Sequence, residues 1–438
     1  MINVRKAALE LLLGYEREER YVNLLLSSHT LDGATREEKA LVTSLLYTAV
    51  ENKMRYDYAI SAFAGRPVSD IDDYVLGILR LGVCQIADMS SVPDFAAVSE
   101  SVKLARHDGE RKFINAVLRR VAREKDSLPL PDRKKNEERY LSVRYSVPRA
   151  TVKLLAARFG TERVEDILCA FADHKETALT VNTARTCSGE LIARLSAAGI
   201  IAEPAPYSDN GIILKSPCPV AQLPGFDEGE FFVQDEASRI MAAALGAEEG
   251  QTVVDVCSAP GGKALAAAIA VGGVGKVYAY DLHSSKLPLI ERSAERLGVN
   301  NITVAEHDAC EPVADLCGKA DRVICDVPCS GLGVIGKKPD LRYKDFAASA
   351  ASLAPIQAKI IEASATYVRP GGVMVYSTCT LTRDECEDIT DAFVASHPEF
   401  SYEDFECGSL SSEGGKLLLL PDAHGTDGFY IAKLKRKL

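Results

Sequence analysis

The sequence predicts a multidomain chain: an all-helical bundle, a small α/β domain, and a larger α/β domain built on a mainly parallel sheet. Three observations carry this. Apolar residues recur at helical spacing through the first part of the chain, a Pro-containing basic tract interrupts them, and from Thr252 onward short β-rich runs alternate with helical ones.

In the first part, Val4, Ala7, Ala8, Leu11 and Leu12 share one helix face, as do Leu41, Leu45, Leu46 and Ala49 in the segment that Glu37 and Glu38 open. Further helical runs at 71–86, 95–105 and 111–123 complete a bundle over residues 1–125. Residues 126–138, with Pro129, Pro131 and Arg133-Lys134-Lys135, have no apolar period and read as a basic linker. A small α/β domain is expected over 139–220, with helices at 149–159, 162–172 and 188–198 and strands at 178–182 and 211–214. The rest, 221–438, forms the larger domain.

Composition narrows the class. A chain of 438 residues with 47% hydrophobic content can fill several cores, and no apolar run approaches the roughly 20 residues that span a bilayer. Glu10 comes too early for a signal peptide, so the cytoplasm is the expected compartment and no membrane partner is expected. Twelve cysteines without paired short spacing fit reduced thiols, and no Cys-x-x-Cys or Cys/His cluster calls for a metal. A net charge of -11 argues against a nucleic-acid binder on average, yet residues 103–144 hold 13 Lys and Arg against 7 Asp and Glu. That run is either a solvated helix face with a charged linker or a phosphate-binding surface.

The stretch from Thr252 to Ala268 organises the larger domain. A buried strand (Val253, Val254, Val256) leads into Cys257-Ser258-Ala259-Pro260-Gly261-Gly262, and an Ala-rich helix starts near Lys263. Two glycines let bare backbone approach a ligand, and the first N–H groups of the helix are left to bind it. The next strand, 276–280, ends on Asp281, about 25 residues on, where a carboxylate can accept bonds from ribose hydroxyls. A phosphate-binding P-loop does not fit, since Cys257 and Ala264 stand where it needs Gly and Ser or Thr. NAD and S-adenosylmethionine remain.

Later strands end on chemistry-bearing residues. Strand 302–304 is followed by Asp308, strand 322–325 by Asp326-Val327-Pro328-Cys329, and strand 373–376 by Ser377-Thr378-Cys379. In a parallel sheet these ends share one edge and can converge. A thiolate adding to carbon 6 of a pyrimidine makes carbon 5 nucleophilic toward a sulfonium methyl donor. An acid such as Asp326, hydrogen-bonding N3 and the exocyclic amine, favours cytosine, and a second thiol assists loss of the carbon 5 proton. Residue type alone does not tell the two thiols apart.

Val256-Cys257-Ser258-Ala259-Pro260-Gly261-Gly262-Lys263, Asp326-Val327-Pro328-Cys329-Ser330-Gly331 and Ser377-Thr378-Cys379-Thr380-Leu381 resemble the motifs of the RNA cytosine-C5 methyltransferases of the RsmB/Sun (Nol1/Nop2/Sun) family. The helical segment resembles the NusB-like domain of the bacterial branch. The resemblance implies a Rossmann-like S-adenosylmethionine-dependent methyltransferase domain, an RNA-binding bundle, and 5-methylcytosine formation in 16S rRNA. Cys257, Ser258, Ala259, Pro260, Gly261, Gly262 and Lys263 would line the S-adenosyl-L-methionine site, with Asp281 on the ribose, Asp308 by the adenine, and Asp326 near donor and target base. Cys379 would be the nucleophile and Cys329 the releasing thiol, with Asp326 and Lys263 completing the catalytic set. A monomer is implied. The chain departs from the family at Ala264, where Thr is common, and at Glu385-Cys386-Glu387, where Asn usually stands between the acids. It also departs at Gly336-Lys337-Lys338, where arginines are common and retained phosphate contact is expected. The alternatives are a tRNA cytosine methyltransferase and a non-catalytic RNA-binding protein with a vestigial cofactor fold.

Overall fold

The computed structural model describes residues 3–18, 22–26, 29–173, 176–216 and 218–438. The chain divides into two compact units, Met1–Leu168 with Lys338–Lys344, and Cys169–Lys337 with Asp345–Leu438. The helical, small α/β and larger mainly parallel α/β parts expected from the sequence are all present. Among the described residues no helix is long and apolar enough to cross a membrane.

The first unit is all-helical. Its central helix, Asp73–Asp88, is buried around most of its circumference, and Gly77 and Gly82 admit Leu9 and Leu118 where a Cβ would stand 2.7 and 2.6 Å from their methyl groups. The helix Arg36–Glu51 starts on a capping box in which Thr35 and Glu38 satisfy each other's backbone N–H groups. Two features differ from the sequence expectation. The helix Glu137–Arg144, which begins within the segment expected as a linker, is grouped with this unit and packs against the helix Lys53–Ala64 with Leu141 and Val143 buried, and Arg149–Phe159 packs on it in turn. The segment Lys338–Lys344 also belongs here: Arg342 donates to Glu51 at 3.1 Å and to the Tyr145 carbonyl at 2.9 Å, and the Tyr343 hydroxyl donates to the Val50 carbonyl at 2.6 Å.

Much of the basic run at 103–144 is neutralised locally. Arg106 pairs with Glu110 and Asp72, Arg111 with Asp108, Lys125 with Asp94, and Arg133 with Glu137 and Glu165. Lys112, Arg119 and Arg123 project from the helix Asp108–Arg123 with no acidic partner among the described residues.

The second unit holds both sheets. The small one consists of β1 (Thr177–Val181), β2 (Ala202–Pro204), β3 (Gly211–Leu214) and β4 (Phe231–Val233) in the order β2-β3-β1-β4, all antiparallel. Its fourth strand lies beyond the boundary expected at 220, because Phe231 faces the same apolar cluster as Leu179 and Ile212. The large sheet contains β5 (Thr252–Asp255), β6 (Lys276–Asp281), β7 (Ile302–Glu306), β8 (Ala320–Asp326) and β9 (Val368–Thr378). These five pair in parallel in the order β9-β8-β5-β6-β7. After β10 (Phe400–Tyr402) and a short hairpin of β11 (Glu406–Cys407) and β12 (Leu410–Ser411), β13 (Lys416–Leu419) and β14 (Phe429–Arg436) complete the edge, β14 running antiparallel to β9.

Arg342 is buried, which works against its charge, and Glu51 offsets that cost. Replacing Glu51 by Ala leaves a buried cation without its carboxylate, so the unfolding transition of the helical unit is expected to fall by about 3–5 kcal/mol in urea. The double variant Glu51→Leu/Arg342→Met is expected to recover most of that loss, and equal destabilisation of both variants would show that the ion pair is not the anchor.

Candidate active site

Four strand ends build the candidate site. β5 ends on Asp255, the turn 256–261 follows, and Gly261 adopts φ +107, a left-handed conformation in which a Cβ would stand 3.1 Å from Ile290. The helix Gly262–Val271 begins there. Asp281, at the end of β6, accepts the Ala259 N–H at 3.1 Å and the His283 N–H at 3.0 Å, which ties the Gly-rich turn to the neighbouring strand. A carboxylate offers about four acceptor positions, so acceptor capacity remains for a ligand's hydroxyls.

β8 and β9 and the loops after them bring an acid and two thiols to this edge. Asp326 Oδ2 receives Lys263 Nζ at 2.7 Å and Oδ1 receives the Ser377 hydroxyl at 2.6 Å. Cys329 Sγ and Cys379 Sγ are 3.1 Å apart, a thiol–sulfur contact between the two loops. The Gly333 N–H donates to the Cys379 carbonyl at 3.0 Å, and a Cβ on Gly333 would overlap the Gly428 carbonyl, so Gly is required there. Lys263, in the first turn of its helix, also lies over the Phe429 ring at 5.3 Å.

The fold thus brings Lys263, Asp326, Cys329 and Cys379 together, with Cys257 to Gly262 and Asp281 along the same sheet edge. Asp308 is separate: it is exposed past the end of β7, and its carboxylate accepts the Cys310 N–H at 2.9 Å. Buried polar atoms fit a hydrogen-bonding ligand at this edge. Asp255 Oδ2 and Ser258 Oγ are enclosed without a hydrogen-bond partner, and the N–H groups opening the helix Gly262–Val271 have none within the helix.

Comparisons with known proteins bear on the family and the fold. Residues 2–123 match the NusB family, 147–221 the ferredoxin-like domain of RsmF/B-like methyltransferases, and 242–435 the 16S rRNA methyltransferase RsmB/F family. A Bacillus subtilis protein called probable ribosomal RNA small subunit methyltransferase B is 34% identical over 448 residues, covering 99% of both chains. The chain belongs to the RsmB/F methyltransferase family. A Synechocystis protein of the same name is 32% identical over 100% of both chains. The crystal structure of PH0851 shares the fold, with a TM-score of 0.80 at 24% identity over 99% of this chain and 98% of that one.

Electrostatics in this RsmB/F chain separate the groups. For Lys263, burial opposes the charge, but Asp326 outweighs it and raises the ammonium above the usual lysine value. The Cys329 thiol is pushed well up, first by its hydrogen bond with Cys379 and then by burial, so it is neutral near pH 7. Burial, with Asp326 as a second cause, lifts the Asp255 carboxyl to about 7.

Several expectations change. Lys337 does not offer its charge to a phosphate: it is enclosed by ion pairs with Asp427, at 3.2 Å, and Asp235. Cys386, the third thiol, is fully buried beside Thr378 and the Thr380 carbonyl. Ala264 is buried in an apolar cluster with Ile240 and Val253, so the missing hydroxyl is replaced by packing. Asp255 and Ser377 were not read from the sequence as site residues. Their signal was position, the last residue of one strand and the penultimate one of another, each facing the Asp326 carboxylate.

An aspartate in an unfolded chain titrates near 3.9, so between about pH 4 and 7 the folded protein holds an Asp255 proton that the unfolded chain has lost. This contribution to stability is complete below about pH 4 and lost as pH rises through about 7. In the ligand-free protein, Asp255→Asn is therefore expected to raise the melting temperature relative to the parent by a few degrees more at pH 8 than at pH 5. A difference independent of pH would show that Asp255 does not titrate in that range.

Proposed function

We propose that this chain forms 5-methylcytosine in 16S ribosomal RNA, with S-adenosyl-L-methionine as methyl donor, through a transient bond between Cys379 and carbon 6 of the base. The pair of thiols 3.1 Å apart beside the Lys263–Asp326 ion pair supports this reading above all. The family match and relatives named for the small ribosomal subunit support the RNA, and the orphan acceptors beside the Gly-rich turn support the donor.

When bound, S-adenosyl-L-methionine supplies an electrophilic methyl group; Cys257 to Lys263, Asp281 and Asp326 are the residues to hold it, and Asp308 is assigned to the adenine. The protein's part begins with Cys379. A negative charge on its sulfur is favoured by the Cys329 S–H and by the nearby Lys263 ammonium. Addition of that thiolate to carbon 6 moves electron density to carbon 5. Asp326, already held by Lys263 and Ser377, is placed to hydrogen-bond the N3 and amino edge of cytosine. Once the Cys379 sulfur is bonded to carbon, the largest influence keeping Cys329 protonated is gone, so Cys329 can release its proton to solvent water and, as the thiolate, accept the one on carbon 5. The carbon–sulfur bond then breaks and Cys379 leaves as a thiolate. Reaching the base requires a loop or a flipped nucleotide.

The test is Cys329→Ala incubated with S-adenosyl-L-methionine and small-subunit ribosomal RNA, resolved on a denaturing gel. A protein-linked RNA is expected to accumulate, to disappear when Cys379 is also replaced by Ala, and to carry the methylated cytosine at the cross-link. A wild-type enzyme that methylates the RNA while neither variant changes adduct or rate would overturn the thiol roles.

A further inference from the structure

Ser330 and Thr380 directly follow the two thiols in the chain, and their buried hydroxyls hydrogen-bond each other at 2.7 Å. Both loops converge on Glu385, whose side chain is fully buried. Glu385 Oε1 accepts the Ser330 N–H at 2.8 Å and Gln357 Nε2 at 3.0 Å. Its Oε2 accepts the hydroxyls of Ser330 and of Thr382, the latter at 2.6 Å. Gln357, from the long helix Phe346–Tyr367, also donates to the Pro328 carbonyl at 2.9 Å, just before Cys329.

No Lys, Arg or His reaches the Glu385 carboxylate among the described residues, so four hydrogen bonds balance a buried anion. Burying a charge in this way is costly unless all its acceptor positions are met. An ionised carboxylate suits the position because it only accepts; an amide of the same shape would turn an NH2 toward at least one of the donors. Two of those donors are on the Cys329 loop and one on the Cys379 loop. The anion also lies close enough to Cys329 to favour its neutral thiol.

We propose that Glu385 is a positioning residue for adduct release: its buried carboxylate holds the Cys329 and Cys379 loops against each other, so that Cys329 reaches the carbon 5 proton of a base bonded to Cys379. This rests on the cytosine-C5 reading. In the step it serves, Cys329 has already lost its proton to solvent water, the carbon 5 proton passes to the Cys329 thiolate, the carbon 5–carbon 6 double bond re-forms, and the Cys379–carbon 6 bond breaks with its electron pair on sulfur. Methyl transfer comes earlier and needs only Cys379, so loosening the clamp separates the two steps.

The experiment compares Glu385→Gln, Ser330→Ala and Thr382→Val with the parent and with Cys329→Ala, following methyl incorporation and protein-linked RNA in a single turnover. For Glu385→Gln, methyl incorporation is expected within about threefold of the parent and release slowed by about tenfold or more, so that linked RNA persists. Half-saturating RNA and S-adenosyl-L-methionine are expected to stay within about twofold. Ser330→Ala and Thr382→Val, each lacking one clamp donor, are expected to show the same effect more weakly, and they decide the matter if Glu385→Gln does not fold. A merely structural role would slow incorporation and release equally and leave no linked RNA, which would overturn the proposal. If Cys329→Ala traps RNA and the clamp variants do not, only the role of Glu385 falls. If Cys329→Ala traps none, the cytosine-C5 reading falls and this proposal with it.

Discussion

The parallel pairing of β8 with β9 sets Asp326 directly beside Ser377, and the site grows from that register. From those two positions the chain needs only three residues to reach Cys329 and two to reach Cys379, so the strand ends place two thiols from distant sequence within contact. A strand slipped by one residue would turn every side chain to the opposite face. The register is held by apolar residues on both faces: Val323, Cys325, Met374 and Tyr376 in one cluster, and Ile324, Val373 and Val375 in the other.

Charge is concentrated at this edge and scarcely compensated. Asp255 and Asp326 approach Lys263, the cation paired to Asp326, and the Asp255 carboxyl responds by holding its proton to higher pH. Such a cluster is poorly arranged for stability alone, since Asp255 Oδ2 and Ser258 Oγ remain without hydrogen bonds. It is well arranged for a polar ligand that fills those positions. Farther along the same loop the opposite holds: Lys337 is fully committed to Asp427 and Asp235 and supports the fold.

The helical unit shows how sequence order and spatial grouping part company. Residues 338–344 follow the Cys329 loop in the chain, yet Arg342 is buried and Tyr343 partly buried among partners from the N-terminal helices, Glu51 and Val50 among them. Local pattern carries no trace of this, because a single Arg and a single Tyr in a loop look solvent-exposed until a distant carboxylate and carbonyl are known. The helix 149–159 was legible as a helix, but 137–144 was not, since its first residues continue a charged tract without apolar period and its packing partner Lys53–Ala64 lies far upstream.

What the sequence determined by itself is the set of local elements and the places where chemistry could occur. Alternating β-rich and helical runs, a Gly-Gly turn, and acids or thiols just past strand ends follow from short-range periodicity and steric demand, and these were readable from Thr252 to Thr380. Their family resemblance assigned roles to otherwise equivalent cysteines. Tertiary structure alone decided the pairings: Lys263 with Asp326, Cys329 with Cys379, Lys337 with Asp427, and Glu385 with Ser330. Each joins residues about 50 or more apart in sequence, and a hydrogen bond or ion pair depends on ångström-scale proximity that only strand register and core packing can set.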